Sequence, residues 1–196
     1  MKLRIFVDFW NFQLSFNKFA PQNSKPDWKK LFPWLITATS TCLAQPLSFE
    51  GATVYLSYDP RSEKDKSLRN WANNFLDRLP GIQVTALERK PKSSPICPTC
   101  HKPIDICPHC KTPIDAMIEK GVDTSIVTDL LSLAWEGSWE VAVLLSADRD
   151  FIPSVERLQD KGFKVINAHF PPLGMDLARS CWASLDLKTA LPDITR

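Results

Sequence analysis

Short apolar runs alternate along this chain with stretches whose apolar residues recur every three or four positions, and that alternation leaves few folds open. Residues 3–7, 52–58, 82–87, 141–145 and 163–167 are compact, largely β-branched or aliphatic runs and read as strands. Between them, 62–79 places Leu68, Trp71, Ala72, Phe75, Leu76 and Leu79 on one helical face, and Pro80-Gly81 stops it. Residues 122–135 do the same with Ile126, Val127, Leu130, Leu131 and Ala134. Helices are also predicted over 28–43, with Pro33 near the first turn, over 151–161, and over a short segment at 175–183. Residues 18–30, with Pro21 and Pro26, read as a loop, and the tail beyond 183 is weakly patterned. Strand–helix alternation predicts a mainly parallel sheet with helices on both faces. Right-handed crossovers bring every strand's C-terminal end to one edge, and ligands of such sheets sit outside that edge.

Residues 88–115 break the pattern. They are polar and rich in proline, and Cys97, Cys100, Cys107 and Cys110 are spaced Cys-x2-Cys-x6-Cys-x2-Cys. Two ten-residue units, 97–106 and 107–116, nearly repeat, each containing Cys-Pro-x-Cys-x-x-Pro-Ile-Asp. Two such knuckles can close a tetrahedral Zn²⁺ site, with His101 and His109 as substitute ligands. A redox role suits one Cys-x-x-Cys pair better than two. The segment is too small for its own apolar core, so zinc would supply its folding energy. Arg89, Lys90, Lys92, Lys102 and Lys111 make it locally basic, which points to substrate gripping or partner docking. Cys42 and Cys181 read as buried or half-buried thiols. The 196-residue chain, 44% hydrophobic, suits one domain with this insert.

Charge and targeting signals set further bounds. Lys plus Arg number 24 and Asp plus Glu 22, a net +2 that excludes a protein coating DNA by charge alone but not a nuclease with an acidic site. The apolar start is too short for a signal peptide, and no stretch approaches the ~20 apolar residues of a membrane span. A cytoplasmic protein with no membrane partner is expected, in a compartment that keeps thiols reduced.

The chemistry gathers on aspartates. Asp8 ends the first strand, Asp148 and Asp150 follow the strand at 141–145, and Asp123 lies at the start of the helix at 122–135. In a parallel sheet all four carboxylates reach one edge, where they repel unless a cation joins them. Oxygen donors select Mg²⁺ or Mn²⁺ over zinc. Such an ion stabilises charge on a phosphodiester undergoing hydrolysis, and a second ion ~3.5–4 Å away would serve the leaving group. Each residue has a plainer reading. Asp8 can simply end a strand, and Asp150 and Asp123 can cap helices, whereas Asp148 has no simple capping use. Asp129 is an outer metal residue or a solvated one, and Asp176 is weaker still. Asn11, three residues past Asp8, orients a phosphate, a water or a carboxylate, or makes a turn bond. Ser146, Lys120, Arg149 and Trp10 are placed as substrate contacts. Of the other tryptophans, Trp71 and Trp135 are expected in the core, while Trp28, Trp34 and Trp182, like Trp10, either pack or line a groove that stacks with unpaired bases.

Three segments carry a resemblance: Asp8-Phe9-Trp10-Asn11; Glu119-Lys120-Gly121-Val122-Asp123, running on to Asp129; and Leu145-Ser146-Ala147-Asp148-Arg149-Asp150-Phe151. In this order they resemble the NYN domain, in the LabA-like (unknown-function type 88) branch of the PIN-like nuclease superfamily. The resemblance implies a Rossmann-like PIN fold and a Mg²⁺- or Mn²⁺-dependent nuclease, most often acting on RNA. It implies Asp8, Asp123, Asp148 and Asp150 as the acidic set, Asn11 as the nearby asparagine and Asp129 as the later helical aspartate. Ala147 replaces the usual glycine, and Trp10 stands where a smaller residue is common.

The leading expectation is therefore an endoribonuclease using metal-activated water, with single-stranded DNA as the alternative substrate. The competing expectations are a non-enzymatic RNA- or protein-binding module, through the insert or as a homodimer, and a small-molecule phosphatase. A dinucleotide enzyme is disfavoured, since no Gly-x-Gly-x-x-Gly follows the first strand.

Overall fold

The computed structural model describes residues 1–196. Its elements run β1 (Lys2–Asp8), α1 (Phe9–Phe19), α2 (Trp28–Leu43), β2 (Ser48–Tyr58), α3 (Glu63–Asn74), β3 (Ile82–Glu88), β4 (Lys90–Pro91), β5 (Met117–Ile118), α4 (Val122–Trp135), β6 (Val141–Leu145), α5 (Ile152–Gln159), β7 (Lys164–His169), α6 (Met175–Ser180), β8 (Ala183–Asp186) and α7 (Leu187–Ile194). Six strands form one sheet in the order β3-β2-β1-β6-β7-β8, every neighbouring pair parallel. The chain thus winds outward from β1 in one direction, then returns to its other side at β6 and winds the opposite way. The switch point falls between β1 and β6, where a crevice opens at the strands' C-terminal ends.

The sheet separates two cores. Leu3, Ile5 and Val7 of β1 face one way, against Phe9, Phe12 and Phe16 of α1, Trp28, Leu31 and Leu35 of α2, and Leu187, Ala190 and Ile194 of α7. Phe6 faces the other way, with Val122, Ile126 and Leu130 of α4, Val155 and Leu158 of α5, and Trp139, which has no exposed surface. The opposed faces of β1 follow from the two-residue period of a strand. Each fully buried Phe or Leu contributes roughly 1.5–3 kcal/mol.

The helices at 28–43 and 122–135 and the strand at 141–145 stand as the sequence predicts. Elsewhere the structure corrects the reading. Residues 9–19 form a helix that the pattern did not announce; its buried stripe of Phe9, Phe12, Ser15 and Phe16 lies in a segment interspersed with Asn and Gln. Asp27 caps α2, so Pro33 sits in the second turn rather than the first. The segment 62–79 divides into α3 and a 3₁₀ turn, Leu76–Arg78. The tail adds β8 and α7, packed on α2. Trp28 is buried core, while Trp135, expected inside, is 57% exposed. Cys42 is exposed rather than buried. Cys181 is half-buried as expected, and burial pushes its thiol up to about 12.

The irregular segment leaves the end of β3 and returns just before α4. Its antiparallel stem pairs Lys90 with Ile118 and Pro91 with Met117, so the excursion is a little wider than 88–115. Above the stem the repeat is structural. Cys97 N–H donates to Lys102 O and His101 N–H to Cys97 O; ten residues on, Cys107 N–H donates to Thr112 O and Lys111 N–H to Cys107 O. His101 and Lys111 both take a left-handed φ, 56° and 59°. No helix of the molecule is long and apolar enough to cross a membrane.

Candidate active site

Asp8 leaves the end of β1 at the switch point and is 6% exposed. Its Oδ1 accepts the Asn11 N–H at 3.2 Å, capping α1, and its Oδ2 accepts the Ser146 hydroxyl at 3.1 Å. Strand end, helix cap and metal candidate are thus one residue. Ser146, 3% exposed at the end of β6, also accepts the Asp148 N–H at 3.2 Å. The Asn11 carboxamide oxygen accepts the Ala147 N–H at 2.8 Å. Its bond is to backbone, but across the switch point rather than within a local turn, so Asn11 holds the loop that carries Asp148. Ala147 is not among the non-glycine residues with positive φ, so alanine fits there without strain. Gly174 (φ 77°) is required opposite it: a Cβ would lie 2.9 Å from Ala147 Cα.

The capping readings resolve unexpectedly. Asp148 is the cap: its Oδ1 accepts the Asp150 N–H at 2.9 Å, opening the 3₁₀ turn Arg149–Phe151. Neither Asp150 nor Asp123 caps a helix. α4 is preceded by Gly121 and α5 by Phe151, neither with a side-chain cap bond. Asp123 and Asp150, on residues open to solvent with the Asp123 carboxyl partly covered, accept no side-chain hydrogen bond of their own.

These groups feel one another's charge. Burial, above all, pushes the Asp8 carboxyl up to about 7, against the pull of the Asn11 N–H and the Ser146 hydroxyl; Glu119 and Asp123 push the same way. Asp123 is raised by burial, then by Asp148, Glu119 and Asp150. Glu119 is a site residue that its motif signals only by its place beside Lys120-Gly121-Val122-Asp123. The structure brings it into the acidic group from the root of the insert. The Ser57 hydroxyl, at the end of β2, donates to Glu119 Oε2; Arg89 Nε donates to Ser57 Oγ at 3.0 Å, and the Arg89 guanidinium lies 5.2 Å from the centre of the Trp10 ring. Trp10 Nε1–H donates to Ser57 O at 2.7 Å.

Other expected residues stand apart. Asp129 neither points to solvent nor joins this group: its Oδ2 accepts the Tyr55 hydroxyl at 2.6 Å. Lys120, three residues before Asp123, and Arg149, between Asp148 and Asp150, are exposed.

No three His, Cys, Asp or Glu side chains stand as a ready metal shell. The donor chemistry nonetheless suits a hard divalent cation. It is all oxygen, it accumulates negative charge at one edge, and it includes a carboxylate whose burial a bound cation would relieve. In the insert, N–H groups of Cys100 and Thr99 hold the Cys97 thiol low, and bonds from Thr112 bring Cys110 to about 7.

A parallel sheet that reverses its winding where acidic side chains gather defines a doubly wound α/β protein. The NYN domain model matches residues 2–181, and the chain belongs to the NYN domain family, within the PIN-like nuclease superfamily. Comparison with curated proteins returns no match. Among solved structures, a protein of unknown function from Vibrio parahaemolyticus superposes on 100% of this chain and 96% of its own, with a TM-score of 0.57 at 18% identity. That likeness concerns the fold alone.

Proposed function

We propose that this protein is a Mg²⁺- or Mn²⁺-dependent endoribonuclease. The observation that carries the reading is the buried Asp8 at the switch point, joined through the Ser146 hydroxyl to the loop that carries Asp148, with Glu119 and Asp123 near enough to act on its charge. Asp8, Asp123 and Asp148 would hold the cation, with Asp150 and Glu119 beside them. Bound there, it would supply Lewis-acid charge against a phosphodiester. The chain's own groups do the placing. Ser146 fixes the Asp8 carboxylate and the Asp148 backbone together, Asn11 holds the loop between them, and Ser57 with Arg89 steadies Glu119. Lys120 and Arg149 are the cations available to a phosphate at this edge. RNA as the substrate, and the LabA-like branch, rest on the family and its three motifs.

Cys97, Cys100, Cys107 and Cys110 would take one structural Zn²⁺, joining two like turns that have no apolar core of their own. A second reading, a docking module, is favoured by Ile96 and Ile106 on this insert, 62% and 56% exposed.

The test is incubation with Mg²⁺ or Mn²⁺ and an RNA panel, a matched DNA panel and a small phosphomonoester. The expected result is metal-dependent RNA cleavage, lost in Asp8→Asn. Full cleavage by that variant, or by the wild type in chelator, rejects the reading.

A further inference from the structure

An acidic cluster repels the polyanion it is to cut, so affinity for a strand must come from elsewhere on the surface. Beside the cluster, between α1 and α3, lies a cleft of about 790 Å³. That is within the roughly 300–1,000 Å³ of ligand-binding clefts. Trp10, two residues past Asp8, stands at its near side, and Trp71 of α3 and Trp28 also line it. Three cations line it: Lys25, Lys64 and Arg196. None of them forms an ion pair. Lys25 and Arg196 are held side by side by reciprocal backbone bonds of 3.0 Å. The cleft's carboxylate, Asp65, is already engaged by the Asp59 N–H at 2.9 Å and Arg89 at 3.7 Å.

We propose that this cleft grips the single-stranded stretch of RNA flanking the bond to be cut. Bases lie against the half-buried rings of Trp10 and Trp71, and phosphates lie on Lys25, Lys64 and Arg196. Aromatic faces take unpaired bases of any sequence, while the cations follow the backbone. A duplex hides its base faces, so only an unstacked strand uses both features. The assignment rests on the nuclease reading for the identity of the ligand, but it places binding on residues outside the acidic cluster.

The test is fluorescence anisotropy with a fluorescein-labelled ten-residue oligouridylate in EDTA, using wild type, Lys25→Glu/Lys64→Glu and a control, Arg157→Glu/Lys161→Glu. The control makes the same charge change on exposed residues of the opposite sheet face. The cleft variant should bind at least ten-fold more weakly. Its log–log salt slope should fall by about 1.4, two phosphate contacts at about 0.7 each for single strands. In cleavage assays its KM should rise while kcat changes little. Unchanged binding in the cleft variant, equal weakening in the control, a wild type that binds no oligouridylate, or a preference for duplex would each overturn the proposal. RNA cleavage with an unaffected cleft variant would sink the cleft and leave the nuclease reading standing. Cleft-dependent binding without any cleavage would do the reverse.

Discussion

The Ser146 hydroxyl donates to Asp8 Oδ2 over 3.1 Å, joining side chains 138 positions apart at the ends of the two strands that flank the switch point. The same oxygen receives the Asp148 N–H. One buried hydroxyl thus sets the spacing between two carboxylates of the proposed ion site.

Ser146→Ala should therefore do more than remove one oxygen atom's worth of packing. Asp8 Oδ2 would lose its donor in a buried setting, at a cost of about 1–3 kcal/mol. Because that bond holds the Asp8 pKa down, its loss should raise it further. Urea unfolding should show the destabilisation, and the pH profile of cleavage should move to higher pH. An unchanged profile would remove Ser146 from the site.

Asp8→Asn should stabilise the metal-free fold, increasingly so as pH rises. At low pH the carboxyl is protonated in both folded and unfolded chains, and burial of the neutral form carries no charge penalty. Between its ordinary 3.8 and about 7 the folded chain keeps a proton that the unfolded chain has lost, so stability falls as pH rises. Above about 7 the penalty is complete, on the order of 4 kcal/mol. Asparagine caps α1 equally well. Unfolding in EDTA at pH 5 and pH 8 should show the variant's advantage growing with pH, and a pH-independent gap would contradict the burial argument.

The parts of this site legible in the sequence were those marked by short motifs next to strong periodic elements: Asp8 after β1, Asp123 at the start of α4, Asp148 after β6. What stayed hidden depends on the third dimension. Glu119 follows a segment without periodicity, and only the return of the insert beside β2 brings it to Ser57. α1 is not announced because its buried Phe9, Phe12 and Phe16, themselves modest helix formers, are interspersed with Asn11 and Ser15, residues with weaker local commitment to a helix than Leu or Ala. Gln13 and Asn17 of the same helix become cleft surface. Asp129 looked like a partner of the site from its motif, but Tyr55, buried on β2, lies within reach of it.

Glu119→Gln should lower divalent-ion affinity and cleavage by about ten-fold while leaving the fold intact, because Glu119 is exposed and adds charge rather than packing. The Asp8 pKa should fall as a negative neighbour is removed. Isothermal titration with Mn²⁺ and the pH profile of cleavage check both, and wild-type Mn²⁺ affinity in the variant would exclude Glu119 from the site.

The insert should carry one zinc per chain, measured by metal analysis of protein purified without chelator, and Cys100→Ser/Cys110→Ser should lose it. Chelation should expose residues 90–118 to protease while the sheet and its helices stay folded. Metal-free wild-type protein with a protease-resistant insert would contradict the zinc assignment.

The most direct test of the whole account is anomalous diffraction from crystals soaked in Mn²⁺. A peak between Asp8 and Asp148, within about 2.0–2.3 Å of carboxylate oxygens and absent in Asp8→Asn, is the predicted result. Saturating Mn²⁺ with no density at that edge would contradict it.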